Sequence, residues 1–463
     1  MAGLRSVGGS LRSAQRPLQY IPVVAPSSRP PRPTAPLPAL VAPSWASSAR
    51  PSQRRRLVGG PSPSSLTFTA EEWLWSGDSA LQLAQRGTRP FRKRTVEELL
   101  DLSGVPLSER VAQVEEALLD GLARMVVLLQ DLPLGFGDVR SIRDLIRGYM
   151  KDIRDLEGTS SQDASAVLAC IEAIYARQGN VVTHIANGLN EFHRKLGESS
   201  LYSSVGKFAS AGSEGLSTNA VPAMERIEQA LDEFFTAQTT CRLLIAQCVQ
   251  NDQVRQDSTV HRMGAVCFDT RPSRILTQAY AEAVEACDFG LAAGRVAPLV
   301  VNGVPAKDYF AVSSTFAGRS GLRYVDEHLT SVFQELLKNA LNTTCRRALR
   351  DGVSRPIEVT FLEGSLDAEN GRIVRISDGG EGLTRADLQK IWSYFYSSRR
   401  QVGEFSDVGQ ELFAGIDVNE KLRCHTGMYG LGLPLSRVLM RYWGGDIELR
   451  SIPRRGTDVY VYL

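Results

Sequence analysis

Between Thr95 and about Ala293, apolar residues recur at spacings of three and four, the period of an amphipathic helix. Runs typical of strands are nearly absent from this region, and the pattern predicts six helices. They are Val96–Leu102, Leu107–Gln130, Val139–Leu156, Ala164–Leu196, Val221–Gln250 and Pro272–Ala293. A four-helix bundle is the simplest arrangement that buries one face of each long helix.

The last third of the chain mixes strand and helix patterns. Arg372–Ser377 alternates polar with apolar residues, as a half-buried strand does, and so do Gly445–Ser451 and Thr457–Leu463. The last two runs are separated by Pro453–Gly456, which indicates a hairpin. Together with the intervening helices, this order predicts an α/β sandwich after the bundle, so the fold class is α+β.

One predicted helix carries a pair of polar residues suited to chemistry. Glu335 and Asn339 are four positions apart, so both side chains project from one face. A carboxylate there can accept a proton, and an amide oxygen can ligate Mg²⁺, which prefers oxygen ligands. Taken alone, the segment also fits an ordinary amphipathic helix whose polar residues face solvent.

Two glycine-rich segments add candidate nucleotide contacts. Asp378 follows a predicted strand and precedes three glycines in four positions, which allow close backbone approach. Its carboxylate can accept a hydrogen bond from an exocyclic amine such as that of adenine, although a solvated turn explains this segment equally well. Gly427–Pro434 precedes a predicted helix whose N-terminus can bind phosphate.

The order of four segments resembles the ATP-binding fold shared by the gyrase, heat-shock protein 90, mismatch-repair and histidine-kinase families. The segments are Glu335–Asn339, Asp378–Gly382, Gly430–Pro434 and Gly456–Asp458. Each motif alone is weak, but all four in the right order within about 125 residues are a specific combination.

Most of residues 95–463 is similar to the mitochondrial kinases of the 2-oxo-acid dehydrogenase complexes, namely the pyruvate dehydrogenase kinases and the branched-chain 2-oxo-acid dehydrogenase kinase. The resemblance is carried by Arg177–Val182, Arg242–Gln247, Ala279–Val284, Asp378–Gly382, Tyr394–Ser398, Gly430–Arg437 and Gly456–Asp458. The first three of these segments lie outside the nucleotide-binding region, which makes the resemblance discriminating.

The resemblance implies a kinase that transfers the γ-phosphoryl group of ATP to a serine of the E1 subunit and thereby inhibits the complex. It implies Glu335 as the catalytic residue, Asn339 as the Mg²⁺ ligand and K⁺ as a further candidate ion. Implied nucleotide contacts are Glu335, Lys338, Asn339, Asn342, Asp378, Gly380, Gly382, Ser397, Ser398, Met428, Tyr429, Gly430, Leu431, Gly432, Leu433 and Thr457. Residues 399–426 would form a lid over the nucleotide.

Three positions depart from the family pattern. Ser331 stands where a histidine precedes the catalytic glutamate by four residues, Asn342 replaces an arginine, and Met428 replaces the first glycine of its box. These departures predict a working kinase of lower intrinsic rate and leave an inactive ATP-binding paralogue as an alternative.

A histidine kinase is another alternative, because it uses the same nucleotide fold. Against it, Glu335 stands where those enzymes usually have asparagine. In addition, no histidine in this chain is followed by Asp or Glu. The substrate complex also has two candidates: Tyr394–Ser398 favours pyruvate dehydrogenase, whereas Gly456–Tyr460 is closer to the branched-chain enzyme.

Composition separates the first 65 residues from the rest. They contain nine arginines, twelve prolines and no Lys, Asp or Glu, which predicts a transit peptide to the mitochondrial matrix or a disordered basic arm. Without them, 44 basic residues face 51 acidic ones, and a net charge of −7 disfavours nucleic acid. The predicted domains are 1–65, a helical bundle over 66–295 and an ATP-binding kinase domain over 296–463.

The remaining expectations concern cysteines, membranes and partners. Seven cysteines lack C-x-x-C or zinc spacing, so they read as buried thiols in a reducing compartment. No window of about 18 apolar residues predicts a membrane span. The resemblance implies that the bundle binds the lipoyl domain of the E2 core and that the chain forms a homodimer.

Overall fold

The computed structural model describes residues 77–159, 163–198, 220–254, 262–286, 296–313, 322–362, 372–396 and 430–463. All described residues belong to one compact unit, residues 68–463. The predicted N-terminal arm, the lid and four site residues lie outside the described residues. Those four are Ser397, Ser398, Met428 and Tyr429.

Seven helices are described in the N-terminal part of this unit. They are α1 (Gly77–Thr88), α2 (Val96–Gly104), α3 (Leu107–Gln130), α4 (Arg140–Thr159), α5 (Ala164–Arg177), α6 (Val181–Glu198) and α7 (Ala220–Val254). The buried faces of α3, α4, α5, α6 and α7 share one hydrophobic core. Helices α5 and α6 are consecutive and together occupy one of the four helix positions of a four-helix bundle.

The helix predicted over Pro272–Ala293 ends at Glu285, and residues 287–293 lie outside the described residues. The other predicted helices are present, with two differences. Helix α1 was not predicted, and the predicted helix over residues 164–196 is two helices separated by a 3₁₀ turn, Gln178–Asn180. Gly179 and Asn180 both have low helix propensity, which explains a break that apolar periodicity does not reveal.

Local hydrogen bonds fix several helix ends. Thr95 caps α2, because its hydroxyl accepts from the Glu98 amide while the Glu98 carboxylate accepts from the Thr95 amide. Asp163 caps α5 by accepting from the Ala166 amide.

The described residues of the C-terminal part form a mixed sheet, a short two-stranded sheet and five helices. Its elements are β1 (Arg262–Met263), β2 (Val266–Cys267), α8 (Pro272–Glu285), β3 (Leu299–Val301), β4 (Val304–Pro305), α9 (Ala306–Ser313), α10 (Asp326–Asp351), β5 (Ile357–Leu362), β6 (Ile373–Asp378), α11 (Arg385–Lys390), α12 (Gly432–Tyr442), β7 (Asp446–Ile452) and β8 (Gly456–Tyr462). The α+β fold class is confirmed.

Six strands form the main sheet, in the order β4-β3-β5-β6-β8-β7. Strands β3 and β5 are parallel, and the other neighbours are antiparallel. Alternate residues such as Val374, Ile376 and Val461 are buried against α8 and α10 in a second core. The β7–β8 pairing is the predicted hairpin.

Helix α8 lies within the range assigned to the bundle domain but packs on α10. The domain limit at residue 295 stays a prediction.

Two aromatic residues from the C-terminal part of the chain pack in the core of the helical bundle. Tyr394 and Phe395 follow α11 in the chain but belong to the hydrophobic core of the helical bundle. The Tyr394 ring stacks on Phe235 of α7 with centroids 5.9 Å apart, and its hydroxyl donates to Asp232 Oδ1 at 2.7 Å. Burial raises the pKa of the Asp232 carboxyl. The stretch that precedes residue 397 is therefore fixed to the bundle.

Five of the seven cysteines are described, and each is a free thiol: Cys170, Cys241, Cys248, Cys267 and Cys345. Cys287 and Cys424 lie outside the described residues. No helix among the described residues is both long and apolar enough to cross a bilayer.

Candidate active site

Helix α10 holds the predicted polar pair in a buried position. Glu335 is 5 % exposed, and Asn339, one turn later, donates from Nδ2 to Glu335 Oε1 at 3.2 Å. Lys338 Nζ lies 2.6 Å from Glu335 Oε2, and both side chains are 6 % exposed. The carboxylate is therefore held between an amide and an ammonium group in a largely water-free position.

The second glycine segment meets this carboxylate. A Cβ at Gly432 would lie 2.0 Å from Glu335 Oε1, so only glycine allows the start of α12 to approach this closely. Gly430 has a φ of +76°, and Leu431 beside it is fully buried. Leu433 packs on the second core. The first turn of α12 thus lies against Glu335, and a helix N-terminus of this kind offers free N–H groups to an anion.

Asp378 ends β6 opposite Thr457 of β8. Its Oδ1 accepts a hydrogen bond from the Gly380 amide at 2.8 Å. A Cβ at Gly382, whose φ is +67°, would lie 2.1 Å from the carbonyl oxygen of Ile452, so this turn packs directly against the β7–β8 hairpin. The structure therefore brings Asp378, Gly380, Gly382 and Thr457 together at one end of the sheet.

Two residues of α10 that the sequence analysis did not select contact this turn. The Thr343 hydroxyl reaches the Asp378 carboxyl, and a Cβ at Gly380 would lie 2.6 Å from Thr343 Oγ1. Arg347 donates to the carbonyl oxygens of Gly379 and Gly380 at 3.0 and 2.8 Å. Thr343 and Arg347 lie four and eight residues after Asn339, so they share its helix face. Their role could have been predicted from this spacing.

Two of the three residues that depart from the family pattern, Ser331 and Asn342, are among the described residues. Ser331 is exposed and donates to the Glu327 carbonyl oxygen, and Asn342 is buried on α10. His328 does not replace the missing histidine, because its Nδ1 accepts a hydrogen bond from Trp443 Nε1 at 3.0 Å. Burial lowers the pKa of His328 to about 4, so its imidazole is neutral at pH 7.

Asp378 gives a pH-dependent prediction. Burial raises the pKa of its carboxyl to about 6, against the hydrogen bonds from Gly380 and Thr457. Only the ionised form accepts a hydrogen bond at both oxygens, so we expect nucleotide affinity to fall by up to about tenfold per pH unit below 6. Calorimetric titration from pH 5 to 8 measures this change. Adenosine, which has no titrating phosphate, should show the same slope; a pH-independent adenosine affinity would contradict the assignment.

The raised pKa of Asp378 also affects the stability of the fold, with the opposite dependence on pH. A carboxyl whose pKa is higher in the folded state than in the unfolded state stabilises the fold at low pH. This contribution is fully present below about pH 3.8 and is lost as the pH rises through about 6. A pH optimum for nucleotide binding therefore need not coincide with the optimum for stability.

Two family models match the chain. The model for "Mitochondrial branched-chain alpha-ketoacid dehydrogenase kinase" matches residues 95–267, and the model for "Histidine kinase-, DNA gyrase B-, and HSP90-like ATPase" matches residues 324–463. The first covers the helical bundle and the second covers the candidate site. Together with the relatives described below, these matches support the mitochondrial 2-oxo-acid dehydrogenase kinase family. The kinase named by the first model and the ATPase named by the second support an ATP-dependent protein kinase.

Individual relatives agree with the family assignment. The chain is 28 % identical over 350 residues to a mitochondrial pyruvate dehydrogenase (acetyl-transferring) kinase of Arabidopsis thaliana, covering 74 % of this chain and 81 % of the relative. It is 22 % identical over 381 residues to the human isozyme 1, covering 80 % and 76 %. A Schizosaccharomyces pombe kinase is 32 % identical over 143 residues, which is 31 % of each chain. All three names include the word mitochondrial.

Proposed function

We propose that this kinase transfers the γ-phosphoryl group of ATP to a serine of the E1 subunit of the pyruvate dehydrogenase complex and thereby inhibits the complex. The observation that carries the proposal is the approach of Gly432 to the Glu335 carboxylate. This contact supports the proposal, because a base at Glu335 would act next to a phosphate bound at the N-terminus of α12.

The transfer needs alignment and charge neutralisation more than covalent chemistry from the protein. The serine Oγ forms a bond to the γ-phosphorus, the bond from that phosphorus to the β–γ bridging oxygen breaks, and the electron pair leaves with ADP. Glu335 takes the proton of the serine hydroxyl. Lys338, already against this carboxylate, stabilises negative charge at the same point.

The nucleotide would lie between α10, α12 and the end of β6. Asp378 would accept the exocyclic amine of adenine, with Thr457 as a second polar contact, and Gly430 to Leu433 would surround the phosphates. Asn342, Ser397, Ser398, Met428 and Tyr429 remain proposed contacts.

Asn339 fits a role as magnesium ligand. Its amide nitrogen donates to Glu335, so its oxygen is directed away from the carboxylate and is available to a cation. Magnesium usually keeps several waters and takes one or two protein oxygens plus substrate phosphates. Groups of three or more His, Cys, Asp or Glu that could hold a metal are absent from the described residues, which this mode of binding does not require. When bound, Mg²⁺ would neutralise charge on the phosphates, and K⁺ is a further candidate ion.

The family assignment supports proposals on partners and location. A 2-oxo-acid dehydrogenase complex is the partner, and we propose that the bundle binds the lipoyl domain of its E2 core and that the kinase forms a homodimer. We propose the mitochondrial matrix as its location, in agreement with the Arg-rich, acid-free composition of residues 1–65.

One observation favours a second substrate. The model that matches residues 95–267 is that of the branched-chain kinase, whereas the relatives described above are pyruvate dehydrogenase kinases. The branched-chain 2-oxo-acid dehydrogenase complex is therefore the second candidate.

A direct assay separates the candidate activities. Protein lacking residues 1–65 is incubated with γ-labelled ATP and each purified E1 in turn. Acid-stable phosphoserine on the pyruvate E1 is expected, and label on the branched-chain E1 alone would favour the second candidate. Acid-labile phosphate on the kinase itself would indicate histidine kinase activity, and ATP binding without transfer would indicate an inactive paralogue.

A further inference from the structure

A cavity of about 430 Å³ lies between the helical bundle and the nucleotide-binding part, within the size range of ligand sites. Its walls come from α5, α6 and α7 on one side and from α10 and α12 on the other. Apolar residues such as Val182, Phe235 and Leu435 alternate there with polar ones such as Gln238 and Ser331. The cavity is therefore suited to a chain segment with both apolar and polar groups.

Two residues of the candidate active site also line this cavity. They are Glu335 and Gly432, whereas Asp378, Asn339 and Thr457 do not take part in its walls. The Glu335 carboxylate thus stands between the proposed nucleotide and the cavity. A group in the cavity can contact this carboxylate without displacing the adenine or the metal.

The two carboxylates in the cavity walls have basic partners, whereas the arginine in the walls contacts an aromatic ring. Glu335 is paired with Lys338, and Glu327 is paired with Arg262 at 3.4 Å. Arg242 of α7 instead stacks on the Tyr175 ring, 4.6 Å from its centroid, and donates to the Tyr175 hydroxyl at 3.4 Å. Within the described part of the chain, no carboxylate lies at ion-pair distance from Arg242.

A guanidinium in this setting favours an anionic ligand. The aromatic ring fixes the plane of Arg242 and leaves its remaining N–H donors for a planar acceptor such as a carboxylate. The other basic side chain in the walls, His328, is neutral at pH 7 and bonded to Trp443. Arg242 therefore supplies the positive charge of the cavity.

We propose that the acceptor serine enters through this cavity and that Arg242 binds an Asp or Glu carboxylate on the same acceptor segment. The proposal rests on the proposed function, because it assigns the occupant of the cavity from the role of Glu335. It adds a specificity-determining residue on α7 of the bundle to a site whose candidate base, Glu335, lies on α10.

The test uses a peptide that spans the phosphorylated serine of E1, and a second peptide in which nearby Asp and Glu residues are replaced by Asn and Gln. With the native peptide, Arg242→Gln should raise the acceptor KM about tenfold or more and change the KM for ATP less than twofold. With the neutralised peptide, the wild-type KM should already be raised, and Arg242→Gln should add less than twofold.

Two control variants accompany the test. Arg226→Gln removes an exposed charge from the same helix, 16 residues or roughly 24 Å away, and should leave both KM values unchanged. Arg242→Lys keeps the charge but not the planar fork and should give an intermediate KM. Thermal unfolding of each variant, with and without ATP, confirms that a folded protein is assayed.

The outcomes distinguish this proposal from the proposed function. Wild-type protein that fails to phosphorylate either E1 refutes the proposed function. If the wild type is active, an equal KM increase for both peptides, or no increase for either, refutes the role of Arg242. Acetate is added to both proteins as a small-anion probe; inhibition of the wild type but not of Arg242→Gln, with an unchanged acceptor KM, would indicate a small-anion site and would also refute it.

Discussion

Replacing Glu335 by glutamine is expected to reduce kcat for phosphoryl transfer by about 10²- to 10⁴-fold, the usual contribution of a general base. Glutamine has nearly the same shape, so it can still pack on Gly432 and accept from Asn339 Nδ2. It cannot take a proton from the acceptor. ATP affinity should therefore stay within a few-fold of wild type, as measured by calorimetry.

The same variant removes the partner of a buried ammonium group. Lys338 would lose its carboxylate, and breaking a buried pair in this way typically costs about 3–5 kcal/mol of folding free energy. Both proteins should be assayed below the onset of unfolding. Glu358→Gln, at an exposed position on β5, is the matched control and should keep full activity. Loss of ATP binding in Glu335→Gln would mean that the residue is structural.

Replacing Asp378 by asparagine is expected to weaken ATP binding by about 10²-fold. The oxygen of the new side chain can still accept from the Gly380 amide, but its NH₂ group would then face the amine of adenine. Two hydrogen-bond donors would then face each other at a buried position, which reduces the binding free energy more than the loss of one hydrogen bond does. Titration with a fluorescent ATP analogue measures the loss.

Asp458→Asn is the control for this second variant. Asp458 pairs with Ser377 in the β6–β8 ladder, one residue from Asp378 in register, and alternate residues of a strand face opposite sides. Its replacement should change ATP affinity less than twofold. If both substitutions weakened binding equally, general electrostatics would be responsible, and Asp378 would not be a specific contact.

Sequence periodicity predicted those elements whose packing it directly reflects. The bounds of α3 agree exactly with the prediction, because its apolar residues face one core along the whole helix. The break between α5 and α6 was missed, since three residues of 3₁₀ turn leave the apolar spacing nearly unchanged. Helix α8 shows the other limit: periodicity predicts a buried face but not which core buries it.

The candidate site could be predicted where its members share one short segment. Glu335 and Asn339 were selected from helical spacing, Lys338 from the family resemblance, and Asp378 from the glycines that follow it. Arg242 was noted only as part of a family segment, and its role in the cavity depends on Tyr175 and on helices brought together by the fold. Such tertiary contacts leave no periodic signal in the chain.

The position of Tyr394 and Phe395 in the bundle core matters for fragment design. A fragment that starts near residue 262 would contain every described element of the nucleotide site but would lack the helices that cover these two rings. The two uncovered aromatic rings would form an exposed hydrophobic patch and promote aggregation. An isolated ATP-binding fragment made for inhibitor screening therefore needs polar replacements at both positions.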